Sequence, residues 1–161
     1  MILHKVLITI LLICGLADIA CSQASQSPVD VFVSSTPCDA FIKSSSGIPA
    51  TSTCEFIKWE HRLFKAKGGT GQFQLTALYG ESQPNTNGFK GGGKKITVDR
   101  RYTSGASDKP ATVFYRLQSD NIPSPLYLVK LDDNIFHFAD SNKKLLVGNG
   151  GWGYVLNRLK Q

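Results

Sequence analysis

Residues 36–63, TPCDAFIKSSSGIPATSTCEFIKWEHRL, constrain the fold more than any other stretch, because two cysteines there flank a short helix signal and lead into a strand signal. After Cys54 the residues alternate: Ile57, Trp59, His61 and Leu63 fall on one side of an extended chain, and Lys58, Glu60 and Arg62 on the other. That period of two is a half-buried strand. Before it, Thr36 is placed to N-cap one or two helical turns with Pro37 at the first position and Asp39 near the positive end, and Gly47 supplies a stop. In an oxidising compartment Cys38 and Cys54 are the natural disulfide pair. Closing a loop of that length stabilises a fold by roughly 3 kcal/mol on chain-entropy grounds.

The remaining chain repeats short β-rich runs between turns. In residues 29–34, Val29, Val31 and Val33 alternate with Asp30 and Phe32. After the turn Lys67-Gly68-Gly69-Thr70-Gly71, residues 72–79 return as a strand with Phe73, Leu75, Ala77 and Tyr79 on one side. Residues 80–95 carry too much Pro, Asn and Gly for a regular element. Further runs rich in β-branched or aromatic residues lie at 95–102, 112–117, 126–131, 135–139, 145–147 and 154–158, separated by turn-like SGASDKP, SDNIPSP and Asp132-Asp133-Asn134. About eight short strands at near-regular spacing predict an all-β antiparallel meander, closed into a small barrel or a sandwich, with helix confined to the bridged loop.

The chain opens with MILHK and an apolar run, VLITILLICGL, too short to span a bilayer comfortably, and Ser22-Gln23-Ala24 offers small residues for cleavage. This predicts a signal peptide over residues 1–24 and a single barrel domain over 25–161, secreted or held in a bacterial envelope, periplasm or outer membrane. A cysteine soon after an apolar run is also where bacterial lipoproteins are acylated, although Asp18 and Ile19 occupy positions where that signal prefers an apolar and a small residue. The membrane therefore enters only through a lipid on Cys21. The formal charge is +6. Its basic residues are scattered without a binding-module motif, which reads as a solvated surface and argues against nucleic acid.

No catalytic constellation emerges. Gly88-Phe89-Lys90-Gly91-Gly92-Gly93-Lys94-Lys95 comes close to a phosphate-cradling loop, but Lys95 stands where Ser or Thr should hold magnesium, and a strand rather than a helix follows. A weak anion or glycan contact at Lys94 or Lys95 is what remains of it. Cys54 and His61 are too far apart along a strand, about 23 Å, to act as nucleophile and base. His61 shares the apolar face of its strand, and His137 lies between Phe136 and Phe138. If both pointed inward they would offer a metal or haem site in a barrel lumen, while the commoner outcome is one bonded near the mouth and one exposed. Most aromatic residues must fill the interior, but Phe89 stands alone in the polar loop, as a cap on the barrel mouth or an anchor for a partner.

The residues Pro37-Cys38-Asp39, Cys54, Ile57-Lys58-Trp59 with Leu63, Phe73-x-Leu75 and Tyr79-Gly80 resemble the N-terminal domain of the NlpE-like, copper-resistance lipoprotein family. The loop at 79–89 and the ending at 148–158 look closer still to uncharacterised secreted or lipid-anchored bacterial proteins of that kind. The resemblance implies a lipocalin-like barrel in the envelope, with roles in surface sensing, copper handling or envelope-stress signalling. The chain departs from the family at its close C-x-x-C, since fifteen residues separate Cys38 from Cys54. That spacing suits a disulfide better than copper.

The expectation is an exported barrel, neither an enzyme nor dependent on a cofactor, that binds a small apolar or amphipathic ligand or an envelope protein at its open end. Trp59, His61, Phe89, Lys94, Lys95 and Trp152 are the candidate contacts, and His61 and His137 the candidate metal ligands. The alternative is a filled barrel serving as an envelope-stress or copper-sensing module.

Overall fold

The computed structural model describes residues 30–106 and 112–160; the expected leader, Cys21 and Val29 lie outside the described residues. Eight strands close into one antiparallel barrel: β1 (Asp30–Pro37), β2 (Phe56–Lys65), β3 (Thr70–Gly80), β4 (Lys94–Ala106), β5 (Val113–Ser119), β6 (Ile122–Lys130), β7 (Ile135–Ala139) and β8 (Val155–Arg158). Each strand pairs with the next in sequence, and β8 returns to β1 through Phe32 opposite Arg158 and Val33 opposite Asn157. One helix, α1 (Ala40–Ser46), lies inside the bridged loop between β1 and β2. Near the seam the buried carboxylate of Asp30 pairs with Lys65 of β2 at 2.9 Å and with Arg158 of β8.

The alternation decides which side chains go in. Ile57, Trp59, His61 and Leu63 of β2 and Phe73, Leu75, Ala77 and Tyr79 of β3 are all buried. In β1 the valines are the outer set: Val31 and Val33 stay half-buried while Phe32 points inward, edge-on to Phe136 at 4.8 Å. Tyr115 meets Phe136 at 5.0 Å and Phe73 meets Tyr102 at 5.4 Å, so the centre is a lattice of inclined rings. Each such pair contributes about 0.5–1.5 kcal/mol beyond the area it buries.

The bridged loop forms as expected, with a different cap. Cys38 and Cys54 are bonded, their Cα atoms 5.7 Å apart. Asp39, not Thr36, is the N-cap of α1, its Oδ1 accepting the Ile42 N–H at 2.8 Å. Thr36 is held in the sheet because the β1 and β2 ladder runs on to Pro37 opposite Phe56, and its hydroxyl accepts the Trp59 Nε1–H at 2.9 Å. Gly47 ends the helix at φ 77°, a left-handed conformation that costs glycine little. Ile42 and Ile48 are buried at one end of the barrel, where α1 packs against β6.

The run SGASDKP, read as a turn, is strand through Ala106, and its residues 107–110 lie outside the described residues. Two further runs differ from expectation. The segment SDNIPSP, read as a turn, is half strand: β6 begins at Ile122 and contains Pro123 and Pro125. Both prolines precede Tyr127, where pairing with β7 starts, and a register shift between Leu117 and Ser119 disturbs the β5 side, so neither removes a needed ladder bond. Residues 145–147, read as a strand, form only a single bridge from Leu145 to Ala139.

Candidate functional site

The interior is occupied by the chain itself. Trp59, Phe73, Phe136 and Phe138 are buried, and His61, 0% exposed, sits among three of these rings at 5.3 Å from Trp59, 5.6 Å from Phe138 and 6.4 Å from Phe73. Neither imidazole nitrogen has a hydrogen-bond partner among the described residues. Burial, aided by the nearby Arg100 charge, pushes the His61 pKa down to about 3, so the ring is neutral. Arg100, 1% exposed, pairs with carbonyls: Nη1 donates to Leu117 O at 3.2 Å and Nη2 to Ser45 O. Its pKa falls to about 10 through burial, which leaves it a cation that ties the last turn of α1 to β4 and β5.

His137 lies on the opposite side of the wall. Phe136 and Phe138 take the inward positions of β7, and His137 Nδ1 approaches the Phe138 carbonyl at 2.8 Å. The two histidines therefore do not share a lumenal site, and among the described residues no three His, Cys, Asp or Glu side chains are grouped to hold a metal. Trp59 and His61, expected as contacts, belong to the core.

The other expected contacts are on the outside. Phe89 is buried, but against the outer face of β2: its ring stacks on Phe56 at 4.3 Å, with Lys58 Nζ 5.9 Å above it. Trp152, half-buried, lies near-parallel to Phe56 at 5.0 Å. Phe56 thus brings together the 81–93 loop and the 148–153 turn, two segments far apart in sequence. The loop is held by Lys90 N–H donating to Glu81 O and by the Glu55 carboxylate, which accepts the Ser82 hydroxyl and N–H. Those two bonds keep the Glu55 carboxyl below its ordinary pKa. Gly93 has φ 77°, which strains any other residue, and a Cβ there would press closely on Phe89 and the Tyr79 carbonyl at about 3.0 Å.

Sequence reasoning missed Phe56. The signal was the adjacent apolar pair Phe56 and Ile57, which in a strand must face opposite ways. Lys94 and Lys95 are exposed at the start of β4, where a strand and not a helix follows the glycines, so the loop is no phosphate cradle. Lys94 borders a small cleft of about 250 Å³ with Tyr79, Glu81 and Lys90. A second cleft, of about 680 Å³, lies between β4 and the β5 to β6 turn, lined by Ile96, Val98, Arg100 and Ile122 among others. Arg101 of β4 reaches Asp120 of that turn at 2.6 Å.

Compared with known proteins, the chain matches no family model, no curated protein and no solved structure.

Proposed function

We propose that this chain is an exported β-barrel that works by binding a protein partner, and that it does so through the outer surface where the 81–93 loop and the Trp152 turn meet. The observation that carries this reading is the packed interior. Rings of Trp59, Phe73, Phe136 and Phe138 take the space in which a barrel of this size would hold a small ligand. Of the polar groups inside, His61 is enclosed by rings, and Arg100, which borders the cleft beside β4, is 1% exposed with its guanidinium committed to the Leu117 and Ser45 carbonyls. Outside, a half-exposed tryptophan is backed by two further rings, a rigid platform of the kind that anchors protein interfaces. Export is the reading supported by the apolar run in residues 6–16 and by a disulfide, a bond that persists in oxidising compartments.

Two measurements test this. Native mass spectrometry of the exported protein is expected to give the mass of the chain alone; an extra mass released on denaturation would restore the ligand-carrier reading. A photo-crosslinker at position 152 is expected to trap one defined protein in intact cells, while the same group at position 116 traps none. Equal, diffuse labelling from both positions would overturn the proposal. Trp152→Ala should lose the partner without loss of fold.

A further inference from the structure

β4 is covered on one side along most of its length and on the other along only half. β3 pairs with it from Lys94 to Thr103, whereas β5 pairs only with residues 101–106. Among the described residues no strand lies beside 95–100 on the β5 side. The cause is local: β5 stops at Ser119, and the turn through Asp120 and Asn121 carries the chain back into β6. The cleft of about 680 Å³ is the resulting gap, with Ile122 at its far side.

The gap leaves apolar surface uncovered. Ile96 and Val98 point inward but remain half-buried, although their β3 partners, Ala77 and Leu75, are buried. An unpaired strand edge with half-covered apolar residues behind it is a template for another strand.

The sequence of the edge says which strand. Lys95-Ile96-Thr97-Val98-Asp99 runs cation, apolar, Thr, apolar, anion, and it has the same pattern of side-chain size with opposite charges at its two ends. We infer that this edge pairs with the same edge of a second copy, antiparallel about a two-fold axis at Thr97. In that register Lys95 of each copy faces Asp99 of the other on the outer side, Thr97 faces Thr97, and Ile96 faces Val98 twice across the gap. Opposite charges directly across antiparallel strands stabilise the pairing, and like charges oppose it. Other registers lose this. Sliding the pair so that Val98 faces Val98 drives Lys95 toward Arg101, where β5 already occupies the edge, and sliding it the other way, to Ile96 against Ile96, leaves Asp99 without a cation.

Lys95 and Asp99 are exposed, and Asp99 Oδ1 accepts from Gln74 of β3, so both side chains are already displayed on the outer face. Each copy uses the same 95–99 edge, and the two-fold contact is closed: it yields a dimer and does not propagate to a fibre through that edge.

Sedimentation of the exported protein across the micromolar to millimolar range tests this. The unmodified chain should pass from monomer to dimer, with amide exchange at 95–99 slowing as concentration rises. Lys95→Asp and Asp99→Lys should each weaken the dimer about tenfold or more, with the melting temperature unchanged at dilutions where the unmodified chain is also monomeric. Mixed together, the two variants should form a heterodimer, because the first then carries an acid at both positions and the second a base at both, so that each facing pair is again of opposite charge. A chain that stays monomeric throughout, a dimer that survives both reversals, or folded variants that fail to associate on mixing would each overturn the inference. If a variant does not fold, concentration-independent exchange at 95–99 in the unmodified chain is enough to do so.

Discussion

Tyr154 donates its hydroxyl hydrogen to Oδ2 of Asp39, and Oδ1 of the same carboxylate accepts the Ile42 N–H at the start of α1. One side chain thus caps the helix and fastens it to the residue that leads into β8. Burial and the bond to Asp39 raise the Tyr154 pKa, so the phenol stays a donor at neutral pH. Asp39→Ala removes both bonds and should cost about 1–2 kcal/mol for the cap and about 1 more for the tyrosine hydroxyl it strands. Asp39→Asn keeps a cap acceptor and should cost clearly less, and Tyr154→Phe about 1 kcal/mol. Urea unfolding of the three variants gives the order; equal losses for the Ala and Asn variants would remove the cap from the explanation.

His61 makes stability depend on pH. Its folded pKa is about 3 against an ordinary value of 6.5, because burial and then Arg100 disfavour the charged ring. The neutral ring is the form the fold accepts, so this contribution is complete above pH 6.5 and is lost as pH falls from 6.5 toward 3. The slope approaches but does not exceed about 1.4 kcal/mol per pH unit for one group. Unfolding measured at pH 7 and pH 4.5 should show a larger difference for the native chain than for His61→Phe. His137, on the outer face, is present in both and cancels in the comparison.

The parts of the fold that were legible beforehand are those where one face of a strand is wholly apolar. β2 and β3 announced their inward sets, and β7 its position, because period-two patterning survives wherever the other face meets water. β1 did not announce its inward face: Val31, Phe32 and Val33 are all apolar, and only the register against β2 and β8 selects Phe32. The entry to β6 was hidden by Pro123 and Pro125, which mean a turn unless the neighbouring strand is absent. Thr36 and Asp39 are both capping residue types, Asp the better, and the length of the β1 ladder decides between them. At the surface, Phe89 and Trp152 stood out as aromatic residues in polar loops, but what joins them is Phe56, whose role depends on which way β2 faces.

Phe56 is the middle of that three-ring arrangement, and its loss should be felt in both loops. Phe56→Ala is expected to cost about 3–5 kcal/mol, the usual range for a buried ring. It should also speed amide exchange across 81–93 and 148–153 together. Trp152→Ala, from a half-exposed site, should cost less and release only its own turn. If exchange in the 81–93 loop is unmoved by Phe56→Ala, the loop is held by the Glu55 and Ser82 bonds alone.

The disulfide acts on the same end of the barrel. Beyond the last paired residues of β1 and β2, Cys38 N–H donates to Glu55 O at 3.1 Å, so the covalent tie sits one step past the ladder and fixes where α1 begins. Its stabilisation comes chiefly from the unfolded chain, whose freedom the closed loop restricts by about 3 kcal/mol. Replacing both cysteines by serine should therefore lower the urea midpoint and raise the slope slightly, as the unfolded chain expands, while the barrel keeps its strand content by circular dichroism. Exchange in α1 should rise further than in β2, because the helix loses its covalent tie while the β1 and β2 ladder persists. A loss below about 1 kcal/mol, with α1 unchanged, would mean that the Asp39 and Arg100 bonds hold the helix without the bridge.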